Sequence, residues 1–146
     1  IRSSSLVSTL EKVAMVLDPE FKGTTALMYV QTPFVNTTTL EESVSTLILN
    51  KSDCALGVKE IRSALYKRMP YGLQALNPPK HLSTDFDTVY LESNTSLATR
   101  NKNFKTGSLT GAVIVYHIVS REESFFIDSQ MDLEIARKMD DYKFNV

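Results

Sequence analysis

The sequence predicts an α+β fold: mainly antiparallel β-sheet with two to four α-helices packed against it. Three observations lead there. Runs of β-forming residues recur, among them Thr24-Thr25-Ala26-Leu27-Met28-Tyr29-Val30 and Ala112-Val113-Ile114-Val115-Tyr116. Between them lie segments whose apolar residues repeat at helical spacing and open on capping residues. The 146 residues, 42% hydrophobic and 23% charged, suit one globular domain burying roughly 68–70% of its unfolded surface.

The elements follow in order. In Leu6–Leu17, residues Leu6, Val7, Leu10, Val13, Ala14 and Leu17 sit at helical spacing, yet Lys12-Val13-Ala14-Met15-Val16-Leu17 reads equally as a strand. Asp18-Pro19 ends either one. A strand over residues 24–30 stops near Pro33. Thr38-x-x-Glu41 and Thr39-x-x-Glu42 both fit a capping box, with Leu40, Val44, Leu47 and Ile48 on one face of the helix that follows. A second helix is expected over residues 58–69, buried through Val58, Ile61, Leu65 and Met69 and ended by Pro70.

Pro70-Tyr71-Gly72 and Asn77-Pro78-Pro79 bracket an irregular loop. Strands are expected over 86–91 and 96–99, then a polar, basic turn at 101–107. The strongest strand is 109–119. It is apolar on both faces, as a central strand covered on both sides would be. Residues 124–127 are placed beside it. Asp128 or Ser129 caps a last helix with Met131, Ile135, Ala136 and Met139 on one face.

The formal net charge of −1 and pI near 6.2 exclude a uniformly basic nucleic-acid coat. The charges are nonetheless segregated. Residues 56–105 carry eight Lys and Arg against four Asp and Glu, whereas residues 120–142 carry three against seven. Ordinary solvated charge is one account of this layout; attraction between opposite ends of two copies is the other.

The single cysteine, Cys54, excludes an intrachain disulfide. Asn36-Thr37-Thr38, Asn50-Lys51-Ser52 and Asn94-Thr95-Ser96 match the glycosylation pattern at a modest excess over chance. With no disulfides, a reducing, intracellular compartment is expected. No apolar run approaches the ~20 residues that span a bilayer and no signal peptide is visible. The sequence opens at Ile1, and a flexible leader upstream of it is expected.

No catalytic constellation is legible. A nucleophile–base site needs Ser or Cys beside a His oriented by a carboxylate, and the only histidines are His81 and His117. His81 follows Pro78-Pro79-Lys80, and His117 lies in the most apolar strand and reads as a hydrogen-bonded core or interface residue. Neither has metal-ligand spacing. Lys105-Thr106-Gly107-Ser108 lacks the glycine lead of a phosphate loop. Asp140-Asp141 reads as a solvated tail, and Asp85 with Asp87 as surface decoration. No cofactor and no small-molecule substrate are implied.

What remains is surface. Arg62, Lys67 and Arg68, with Lys80 nearby, form one candidate basic patch for an anionic surface. Arg100, Lys102 and Lys105 form another, with Phe104 as an apolar tip. Plain solubility is the competing account of both. On anionic lipid each near-surface cation contributes ~1 kcal/mol, and the same patches suit phosphate backbones in a salt-dependent way.

The order of elements resembles the matrix proteins of rhabdoviruses. The matching parts are residues 24–35 followed by 39–50, then Lys67-Arg68-Met69 through Leu76-Asn77-Pro78-Pro79-Lys80-His81. Lys105-Thr106-Gly107-Ser108-Leu109 into residues 113–119 and the acidic Arg121-Glu122-Glu123-Ser124 complete them. The likeness covers most of the chain as a pattern of elements, without a diagnostic motif. The basic N-terminal tail and late-domain motif often found in that family are absent from this sequence.

The resemblance implies a non-enzymatic virion protein in the host cytoplasm and at the membrane periphery. Such a protein self-associates as a homo-oligomer, condenses the viral nucleocapsid and contacts the anionic inner face of the envelope. Residues 77–121 are also similar to the later half of 30K-type plant-virus movement proteins, which bind single-stranded RNA. A jelly-roll coat protein is a third alternative.

Overall fold

A computed structural model describes residues 5–77 and 88–144. In chain order it contains α1 Leu6–Leu17, β1 Thr24–Met28, α2 Thr37–Leu49, β2 Cys54–Ile61, β3 Tyr66–Met69 and β4 Gly72–Ala75. These are followed by β5 Val89–Arg100, a 3-10 helix Asn101–Thr106, β6 Ile114–Ile118 and α3 Gln130–Phe144. The expected α+β class holds. The sheet, however, is mixed. Its order is β1-β5-β2-β6, with β5 antiparallel to β1 and β2 and β6 parallel to β2. β3 and β4 form a separate hairpin.

The ambiguous first segment is helical. Ser5 caps it, accepting from the Ser8 amide at 3.3 Å, and Ala14 joins Phe21 and Phe104 in a small core. The Asp18 carboxylate ties the next turn down by accepting from the Gly23 amide (2.7 Å) and Asn101 Nδ2 (2.8 Å).

The cap of α2 falls two residues before the first of the expected capping boxes. Asn36 is the cap, its side chain accepting from the Thr39 amide at 2.9 Å. The Thr39 hydroxyl bonds Glu123 from a later segment. The buried stripe is Thr39, Ser43 and Leu47, while Ile48 is exposed. The helix is rotated from its apolar reading because the sheet beneath it offers polar partners.

Several of the expected assignments change. The helix expected over 58–69 is instead the end of β2, a break, and β3. Central position decides it: β2 is paired on both edges, by β5 and by β6, and the helical spacing of Val58, Ile61, Leu65 and Met69 is coincidental. The irregular loop after Pro70 contains β4. Of the two short strands expected over 86–91 and 96–99, residues 89–91 and 96–99 belong to one twelve-residue strand, β5; Thr88 precedes it, and residues 86 and 87 lie outside the described set.

β6 is shorter than the expected strand and lies at the sheet edge, with Ile114, Tyr116 and Ile118 each about half exposed. Residues 124–127 form no strand; Phe125 meets Phe34, ring centroids 6.3 Å apart, and the Ile127 amide bonds Gln31 O at 2.9 Å. α3 starts with a reciprocal cap: Ser129 Oγ donates to Asp132 Oδ2 (2.7 Å), and the Asp132 amide donates to Ser129 Oγ (3.2 Å).

α2 lies on the sheet, where Leu47, Ala55 and Ala98 are buried with Val44 and Val115 against them. Gly57 is required at this contact. A Cβ there would lie 2.6 Å from Thr95 Oγ1 and 2.8 Å from both Ser96 Oγ and Val119 Cγ2. Gly57→Ala is therefore expected to lower unfolding free energy by about 1–3 kcal/mol in a urea titration. An unchanged midpoint would show that the sheet yields at this point without cost.

Candidate functional site

The most distinctive surface is the β3–β4 hairpin. Its register pairs Tyr66 with Ala75, Lys67 with Gln74, Arg68 with Leu73 and Met69 with Gly72, leaving Pro70-Tyr71 as the turn. Pro70 supplies the fixed φ that an early turn position favours. Gly72, at φ 136°, takes a conformation that L side chains rarely adopt. Every residue of both strands is exposed.

The foot of the hairpin is clamped. Asn77, buried, accepts from the Leu65 amide at 2.7 Å and donates from Nδ2 to Ser63 O at 2.9 Å, while the Leu76 amide bonds Leu65 O at 2.8 Å. One side chain thus satisfies both ends of the link into the hairpin. Asn77 read as a turn signal in the sequence; nothing there showed it to be the clamp.

The hairpin presents Lys67 and Arg68 next to exposed Tyr66, Met69, Tyr71 and Leu73, with Tyr71 101% exposed at the turn. Arg62 stands at its approach, 2.9 Å from Glu60. No acidic residue occurs from Arg62 to Asn77. Lys80, the fourth member of this candidate patch, lies outside the described residues, as do His81, Asp85 and Asp87.

The second basic group is placed at the other end of the β2–β5 ladder. Ile61 pairs with Val89 at one end and Cys54 with Thr99 at the other. Seven strand steps of ~3.4 Å put them roughly 24 Å apart. Each cation of this second group has an internal partner. Arg100 Nε donates to Ser52 O at 3.4 Å, Lys102 Nζ lies 2.6 Å from Asp53 Oδ1, and Lys105 Nζ sits 4.4 Å from the Phe21 ring centroid. Lys102 and the Val113 and Ala112 amides together hold the Asp53 carboxyl below its ordinary range. Phe104 is no apolar tip: it is 1% exposed and sits in the core with Ala14 and Phe21.

No protein-family model and no curated protein matches the chain. The reading of its surface therefore stands on geometry.

Beneath α2 lies a buried polar junction. His117 Nε2 is 2.7 Å from Ser43 Oγ and 3.2 Å from Ser96 Oγ, and the two hydroxyls are 2.8 Å apart. His117 Nδ1 makes no hydrogen bond; the nearest carboxylate oxygen, Glu42 Oε2, is 3.6 Å away. The order of atoms imitates a nucleophile, base and orienting acid. Ser43, however, is 0% exposed. One cleft follows α3 and another flanks the 3-10 helix, and neither is lined by Ser43 or His117. The junction joins helix to sheet.

One other buried group, Cys54, bears on the chemistry. Burial, reinforced by Glu92 and Asp53, pushes the Cys54 thiol up to about 12, which leaves it protonated and unreactive. Among the described residues no group of His, Cys, Asp and Glu is arranged to hold a metal ion, and no helix is long and apolar enough to cross a membrane.

Burial lowers the His117 pKa, and the carboxylates of Glu42 and Glu123 only partly oppose it. Burial would raise Glu123, but hydrogen bonds from Thr39, the Asn36 amide and Ser120 outweigh it and hold that carboxyl below its ordinary range. The unfolded state therefore binds the imidazole proton more readily than the folded state. Stability contributed by neutral His117 is full above the ordinary histidine value of about 6.5 and falls as pH drops below it. Glu123 contributes above the ordinary carboxylate value and loses its share as pH falls through its lowered pKa. The urea midpoint should decline between pH 7 and pH 5.5, and His117→Gln should flatten that decline. A parent midpoint constant across that range would remove the assignment of a buried neutral imidazole.

Proposed function

We propose that the chain is a non-enzymatic, viral matrix-type structural protein. In this reading it self-associates, condenses the nucleocapsid and contacts the anionic inner face of the envelope. The β3–β4 hairpin is the observation that carries the reading. It projects Lys67 and Arg68 without an acidic neighbour on the hairpin and places Tyr71, Met69 and Leu73 around its end. Cations draw such a surface to anionic headgroups, each contributing ~1 kcal/mol, and an exposed tyrosine suits the interfacial zone of a bilayer. Helix α2 lying on a single four-stranded sheet also favours a matrix-type protein over a two-sheet jelly roll.

The same hairpin favours one other reading. Tyr66 and Tyr71 beside Lys67 and Arg68 form the aromatic and cationic combination that binds single-stranded RNA by stacking and phosphate contact. That is the surface a 30K-type movement protein or a coat protein would use.

Sedimentation with vesicles containing phosphatidylserine separates the two. The protein should bind them at low salt and release at high salt. Lys67→Gln with Arg68→Gln should weaken binding by about 30-fold, the equivalent of two cations at ~1 kcal/mol each. Tyr71→Ala should weaken it with little change in salt dependence. Binding to single-stranded RNA with a clear salt slope, and none to vesicles, transfers the surface to nucleic acid. Binding to neither ends the proposal.

A further inference from the structure

We propose that β6 is a self-association edge, pairing antiparallel with β6 of a second copy about a two-fold axis at Tyr116. The proposal rests on the self-association in the function proposed above and names its contact.

The direction of the backbone comes first. Val113 O accepts from the Asp53 and Cys54 amides at 2.9 and 3.2 Å, and the Val119 amide donates to Val58 O at 2.9 Å. In a parallel ladder, alternate residues turn both backbone groups toward the neighbouring strand. Residues 113, 115, 117 and 119 thus face β2, and Ile114, Tyr116 and Ile118 turn theirs to the open side. Among the described residues β6 pairs with β2 alone.

The side chains agree. Val115 packs toward α2 with Leu47, and His117 bonds Ser43 on α2. The alternate residues Ile114, Tyr116 and Ile118 therefore lie on the opposite face, where each is about half exposed. Tyr116 stacks on Tyr90, centroids 4.4 Å apart, which fixes its ring.

A row of extended backbone groups with no strand partner among the described residues selects one kind of occupant, another strand. The devices that usually block an edge are missing here: Ile114–Ile118 contains no lysine, no proline and no charged residue, and its register with β2 has no bulge. The segment is also self-complementary. An axis at Tyr116 sets Tyr116 opposite its own copy and Ile114 opposite Ile118 of the other chain, an isologous contact. Each of these pairs exchanges two backbone bonds, about six in all. The apolar stripe is small against the ~800 Å² per partner of a standard interface. The pairing is accordingly weak, reversible and dependent on concentration.

Single cysteines test the register, since opposed strand positions fall within disulfide reach and buried Cys54 does not compete. Under mild oxidation of folded protein, Tyr116→Cys should cross-link to itself. Ile114→Cys and Ile118→Cys should not cross-link alone but should cross-link when mixed. In sedimentation, Tyr116→Lys and Ile118→Lys should each raise the dimer dissociation constant at least about tenfold, with unchanged circular dichroism. Self-association that survives both lysine variants, or self-linking of Ile114→Cys alone, overturns the edge contact and leaves the proposed function standing. A parent protein that stays monomeric at every concentration overturns both the contact and the self-association, whatever the vesicle result.

Discussion

The seating of α2 depends on a contact that is tolerable only when nearly complete. Three polar side chains, Ser43, Ser96 and His117, are withdrawn from water together. Each would cost free energy if stranded, and each finds a partner in the others. The contact also fixes the sheet. A one-residue slip of β6 against β2 would turn His117 to the opposite face and bring Ile118 or Tyr116 against two hydroxyls. The position of the edge strand, and with it the stripe of Ile114, Tyr116 and Ile118, follows from the helix above it.

Much of the local structure was legible. The cap of α3 at Ser129, the proline after α1 and the β-forming run of β1 all act within a few residues of themselves, whereas α2 is capped by Asn36 and not by the expected threonines. The sheet order was not, and β5 shows why. Its central part, Ser93-Asn94-Thr95-Ser96, looks like surface, yet Ser93, Thr95, Ser96 and Thr99 are all buried. Their hydroxyls find local acceptors and partners: Ser93 donates to Gly57 O at 2.7 Å and Thr99 to Leu109 O at 2.5 Å. Hydrophobicity thus pointed to β6 as the centre and away from β5. The expected helix over 58–69 failed in the same way, because pairing on both edges of β2 outweighs a spacing of four apolar residues.

The candidate surface was half legible. Sequence alone grouped the cations into two sets and treated the two as equivalent. Arg100, Lys102 and Lys105 are engaged by Ser52, Asp53 and Phe21, and act as fasteners around the 3-10 helix. Lys67 and Arg68 stand on a hairpin that sequence reading had assigned partly to helix and partly to irregular loop. Phe104 went astray because a lone aromatic between lysines resembles an exposed tip until the chain curls back over α1.

The Asn77 clamp has a consequence for how the hairpin meets a surface. A flexible loop of the same composition would surrender about 1–2 kcal/mol of backbone entropy for each residue that contact fixed in place. Here the turn, the two strands and their foot are already in one arrangement, and the ordering has been met by folding. Recognition then resembles the pressing of a fixed relief against its counterpart, in which little of the attraction is lost to arranging the chain.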